Sequence, residues 1–200
     1  MSVRLYDEAI VTKFKGWIKD EKLRILSPED STRLFQMRAN QNDDKPLTLP
    51  LIAISRSNEI EITNSSKRML TYDGKMLRAN DKGSLQIDAI PMTLNYQVDI
   101  YTRHMDEADE YMRNFVFSMI NYPKLKVVLP YNNIDYEHWS FIRILSTIED
   151  NSDIPQHLFG DQFTRWTIRF TVDDAYLFSL PYKDNVEIIG YEMQMVERQD

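Results

Sequence analysis

Between Ile87 and Leu129 the hydrophobic period of the chain changes twice. Ile90, Met92, Leu94, Tyr96, Val98 and Ile100 alternate with Thr93, Asn95, Gln97, Asp99 and Tyr101. A period of two is that of a strand with one buried and one open face. Asp106, Glu107 and Asp109 follow, acids suited to a first helical turn, where free backbone N–H groups favour negative charge. Ala108, Met112, Phe115 and Met119 then recur at helical spacing, and Tyr111, Val116 and Ile120 widen the stripe. Asn121-Tyr122-Pro123 ends the helix, because a residue before proline is pushed out of the α region. Leu125, Val127 and Leu129 resume the alternation. The pattern predicts a strand–helix–strand unit.

The same rules extend to either side. Ile10, Phe14, Trp17 and Ile18 predict an amphipathic helix over residues 6–19, slightly weakened by Gly16. Leu23 to Leu26 reads as a short strand. Ser27-Pro28 reads as an N-cap with proline at the first helical position, opening a helix that carries Leu34, Phe35 and Met37 before Asn40-Gln41-Asn42-Asp43-Asp44 dissolves it. Leu49 to Arg56 predicts a strand starting at or just after Pro50. Residues 57–83 form a long polar excursion within a single 1–200 domain, with a brief extended piece at Ile60 and Ile62. Tyr131-Asn132-Asn133 reads as a turn.

Tyr136 to Ile148 reads as a long strand, with Trp139 and Phe141 on one face and Ile142, Ile144 and Ile148 on the other. Glu149 to Asp153 is an acidic loop continuing to Gly160. Gln162 to Asp173 is a strand with Trp166, Ile168, Phe170 and Val172 inward and Phe163, Arg165, Thr167 and Arg169 outward. A short strand ending at Pro181 and a last one at Val186 to Ile189 complete the reading. Its fold class is α+β, a mostly antiparallel sheet with helices packed on one face.

A net charge of −7 argues against wrapping a nucleic-acid backbone, since that binding needs Lys and Arg to neutralise phosphates. With no cysteine, disulfide scaffolds, thiolate metal sites and cysteine nucleophiles are excluded. No apolar signal-peptide core or membrane-length run is present, which gives a cytoplasmic expectation and no membrane partner. Aromatics make up 12% of the chain, with eleven tyrosines, a composition suited to contact surfaces.

Candidate chemistry is sparse. His104, His138 and His157 lie far apart and match no zinc spacing. The five glycines never cluster into a phosphate loop, and no serine sits in a nucleophile elbow. The Asp150–Asp153 loop resembles a calcium loop but lacks its acid spacing, central glycine and closing glutamate. No cofactor, metal or catalytic residue is expected. The polar and aromatic decoration of the outward strand faces is more pronounced. Arg56, Gln97, Asp99, Tyr101, Arg103, Asp150, Asp153, Arg165 and Arg169 are candidates for a subunit or partner interface, where Tyr and Arg are favoured. The alternative is a solvated sheet face with ordinary cross-strand pairs.

Several of these runs are similar to tail terminator (tail completion, or sheath-stabilising) proteins of contractile-tailed bacteriophages. They are Leu49-Pro-Leu-Ile-Ala-Ile-Ser-Arg56, Asn95-Tyr-Gln-Val-Asp-Ile-Tyr101 with its acid-started helix, Leu125-Lys-Val-Val-Leu-Pro130, Phe141 to Asp153, and Arg165 to Phe178. The resemblance implies a homo-oligomeric, hexameric ring at the tail–neck junction of a virion, assembled in the host cytoplasm. Such a ring would cap the tail tube, secure the last sheath ring and present a surface to neck or head-connector proteins. DNA would pass through its bore without specific binding. On that reading, residues 57–83 and the Glu149–Gly160 loop contact other subunits, tube or sheath. The competing functions are a neck or connector protein or the cap of an injection system, then a small carboxylate-dependent enzyme with a surface histidine, then a nucleic-acid binder.

Overall fold

The computed structural model describes residues 2–18, 20–40, 48–62, 75–79, 83–87, 89–131, 134–152 and 163–178. Helix α1 (Ser2–Trp17) leads to strand β1 (Arg24–Leu26), helix α2 (Pro28–Asn40) and strand β2 (Leu51–Ile62). Strands β3 (Lys75–Ala79) and β4 (Gly83–Ile87) pair as antiparallel neighbours. The central unit is β5 (Ala89–Thr102), α3 (Met105–Asn121) and β6 (Lys124–Tyr131); β7 (Ile134–Asp150) and β8 (Thr164–Phe178) follow.

All eight strands join one sheet in the order β1-β2-β5-β8-β7-β3-β4, with β6 pairing β7. Every pair is antiparallel except β1 with β2. That exception follows from α2, which supplies the crossover a parallel pair requires. The α+β expectation holds, and so does the strand–helix–strand unit.

Helices α1 and α3 share one face of the sheet. Their Tyr6, Ile10, Phe14, Tyr111, Phe115 and Met119 pack against Ile52, Val98, Ile100, Ile168 and Phe170. The Phe14 ring meets Phe115 edge-on at 5.0 Å. Helix α2 lies on the reverse face, where Leu34 and Phe35 pack with Leu51, Ala53, Tyr101 and Phe163. It starts as the sequence predicts: Ser27 Oγ accepts the Asp30 N–H at 3.1 Å, satisfying one of the free donors of the first turn.

The second layer changes the expected exposure of several residues. Asp99, Tyr101, Phe163 and Thr167, predicted to face outward, are buried, because the α2 side covers that end of the sheet. Ile90, predicted inward, and Ile120, placed on the buried helix stripe, are exposed. In α3 the buried set is Ala108, Tyr111, Phe115 and Met119, and no element among the described residues covers the flank that bears Ile120.

The predicted excursion begins inside a strand. β2 continues to Ile62, and Ile60, Glu61 and Ile62 pair with Leu94, Thr93 and Met92 after a register shift. Residues 63–74, the Asn132-Asn133 turn, the loop from Asp153 and the predicted strand at Val186 to Ile189 lie outside the described residues.

β8 is kinked where it leaves β7. Asp174 has φ 55°, a left-handed conformation that Asp tolerates better than most residues. Nearby, the β5–β8 register shifts between Met92 and Leu94, as at a β-bulge.

Candidate assembly surfaces

The kink at Asp174 gathers the buried polar side chains of His138 and Ser140. His138 Nε2 lies 2.8 Å from the Asp174 carbonyl oxygen, and Ser140 Oγ donates to the same oxygen at 3.0 Å. A carbonyl only accepts, so Nε2 carries the hydrogen. Tyr176 N–H donates to Tyr6 Oη at 2.8 Å, and burial pushes the Tyr6 phenol up to about 12. Ser140 Oγ is also 3.0 Å from His138 Nε2. That contact does not make a nucleophile and base, because the nitrogen nearest the hydroxyl is the protonated one and both residues are buried. The network satisfies groups freed by the bulge. His138 Nε2 faces a backbone carbonyl. No group of three or more His, Asp or Glu suited to a metal occurs among the described residues.

A second network holds five of the nine expected interface residues. Arg165 donates to Asp99 Oδ1 through Nη2 at 3.0 Å and Nε at 3.2 Å, and its guanidinium lies 5.5 Å from the Tyr101 ring centre. Thr167 Oγ1 donates to Asp99 at 2.7 Å and Gln97 Nε2 at 2.9 Å. Tyr101 also packs between Phe35 and Phe163, and burial raises its pKa. Arg169 bridges Glu149 at 2.5 Å and Gln97 at 3.4 Å. Arg56 pairs with Asp7 of α1 at 3.2 Å. Asp150 accepts from Ser152, Arg103 is exposed on the β5–α3 turn, and Asp153 lies outside the described residues. The structure thus joins Gln97, Asp99, Tyr101, Arg165, Arg169 and Glu149 in one network within the chain, and leaves Arg56 and Arg103 apart from it.

Sequence reasoning missed a groove between α1 and β6. It has a volume of 530 Å³ and is lined by Leu5, Ala9, Val128 and Trp139, with Lys13, Lys124 and Lys126 around it. The signal lay in the long strand, where Trp139 falls on the face opposite Ile142. Trp139 is 49% exposed, and Phe141 beside it is 40% exposed. On α3, Phe117 and Ile120 are 60% and 58% exposed. Exposed apolar clusters of this kind mark contact surfaces or ligand-binding grooves.

No protein-family model matches the chain, and no curated protein does. Among solved structures, the chain is similar to the sheath/tube terminator of an extracellular contractile injection system, PVC, solved in the extended state. The likeness has a TM-score of 0.50 at 12% identity and covers 100% of this chain. The fold is terminator-like. The chain spans 65% of the length of that terminator. No helix among the described residues is long and apolar enough to cross a membrane.

Proposed function

We propose that this chain is the terminator of a contractile tail or a tail-like injection apparatus, a non-catalytic ring that caps the last layer of tube and sheath. The observation that carries the reading is the likeness to a sheath/tube terminator over the whole of this chain. Three features of the molecule support it. The polar groups of the His138 and Asp99 networks are engaged within the fold. Its exposed Trp139, Phe117 and Ile120 suit assembly. The net charge of −7 suits a bore through which DNA passes without adhering.

On this reading the copies form a hexamer that binds tube and sheath protein and offers its far side to a neck or head connector. Because the similar structure comes from an injection system, the reading covers a phage tail and a phage-like device alike. Co-sedimentation of the purified protein with tail tubes, imaged by electron microscopy, tests it. Density at one tube end only, on tubes that stop growing, is the expected result. Absence from both ends overturns it.

A further inference from the structure

Among the described residues β6 pairs with β7 alone, and its other edge is poorly suited to receiving a strand. Pro123 O accepts the Ile142 N–H at 2.8 Å. With the β6–β7 register, that bond turns the backbone groups of Leu125, Val127 and Leu129 toward β7 and those of Lys124, Lys126 and Val128 outward. Lys13 Nζ donates to the outward Lys124 carbonyl at 2.7 Å. Pro130, also on the outward side, has no N–H to offer. Lysines and proline on an edge discourage strand addition, yet the edge borders the apolar groove under Trp139. Glu8 at the groove is paired with Arg4, and Lys126 with Glu137. Lys13 and Lys124 have no acidic partner among the described residues.

The complementary surface is the open stripe of α3. Asp106, Asp109 and Glu110 stand exposed on its first turns, and Phe117 and Ile120 lie further along the same stripe. None of the three acids is ion-paired among the described residues. The spacing agrees too. From Glu110 to Phe117 is about 10 Å along a helix, and from Lys124 to Val128 about 13 Å along a strand.

We infer that the α1–β6 groove receives α3 of a second copy of this chain, with Phe117 and Ile120 seated against Val128 and Trp139 and the acids over Lys13 and Lys124. Groove and stripe are different surfaces, so the contact is head-to-tail, the kind that closes into rings. This deepens the ring of the proposed function and rests on that reading.

Sedimentation equilibrium of the full chain tests the contact through three variants: Lys124→Glu, Asp109→Lys with Glu110→Lys, and all three substitutions together. Each reversal should weaken self-association about tenfold, and the combination should restore it. Phe117→Ser, whose side chain is outside the core, should weaken it without lowering the melting temperature. The contact is overturned if the wild type stays monomeric up to about 1 mM, if either reversal leaves association unchanged, or if the combination restores nothing. Imaging the same variants on tube ends separates the two ideas. Capping that persists alongside charge-indifferent association overturns this contact and leaves the terminator reading standing. Association that follows the charges in a protein that ignores tube ends does the opposite. Loss of tube binding by Lys124→Glu with unchanged association assigns the groove to tube protein and overturns the contact between copies.

Discussion

Arg165 and Asp99 face each other on neighbouring strands, joined by two hydrogen bonds at 3.0 and 3.2 Å, with side chains only 18% and 8% exposed. The register pairs Asp99 with Thr167 and Tyr101 with Arg165, so the guanidinium crosses the ladder diagonally and covers the Tyr101 ring. An ion pair this sheltered binds β5 to β8 and depends on both partners. Arg165→Met should destabilise the protein by about 3 kcal/mol, because it leaves a buried carboxylate without its cation. Adding Asp99→Asn should recover part of that loss, a non-additivity that urea unfolding of the single and double variants would reveal. Additive losses would mean that the two side chains act independently.

Asp7 gives the fold a pH dependence of definite sign. Its carboxylate accepts from Tyr96 Oη at 2.7 Å and Arg56 Nε at 3.2 Å, yet burial outweighs both and raises its pKa above 3.8. The native state therefore holds this proton more tightly than the unfolded chain. The resulting stabilisation is complete below the unfolded value and is lost as pH rises through the native one. Asp7→Asn keeps the acceptor for Tyr96 and cannot titrate. Its stability should fall less than the wild type's as pH rises from 3.8 through that window. Parallel profiles in denaturant titrations across the acid range would refute the assignment.

The Asp174 kink separates a backbone requirement from a side-chain one. Its φ of 55° lies in the left-handed region, while its side chain is exposed and its carbonyl holds His138 and Ser140. Asp174→Gly should be close to neutral. Asp174→Val should cost about 1–2 kcal/mol, since a β-branched residue crowds its own carbonyl in that conformation. Thermal melts of the two variants compare them directly, and equal stabilities would show that the bulge relaxes.

Local pattern made much of this legible. The period-two run of β5 and the stripe through Ala108, Phe115 and Met119 are properties of neighbouring residues, and both elements form where the sequence predicts. The Ser27-Pro28 helix start is equally local. What the sequence hid is long-range. Nothing near Asp99 or Tyr101 announces that α2, some 60 positions earlier, lies over their face, because alternation assigns residues to faces without saying which face is covered. The same blindness made Gln97, Asp99 and Arg165 look like a free surface. The α1–β6 groove was illegible for a related reason, since it joins residues near position 10 to residues near 125.

The span from β2 to β3 offers the sharpest separation of folding from assembly. Deleting residues 58–82 outright would remove Ile60 to Ile62 from their ladder with β5 and Arg78 from its pairing with Glu137. Residues 63–74 alone lie between the two strands. In the sheet order, β5, β8 and β7 stand between β2 and β3. The connection must therefore cross about 19 Å, four strand spacings. A linker of about eight Gly and Ser residues reaches roughly 27 Å and suffices. The protein with residues 63–74 so replaced should keep its cooperative melt. If that segment touches tube or sheath, as the terminator reading expects, the variant should fail to cap tubes in the co-sedimentation experiment. Capping at the wild-type level by a folded variant would move the tube contact to the other surfaces of the sheet.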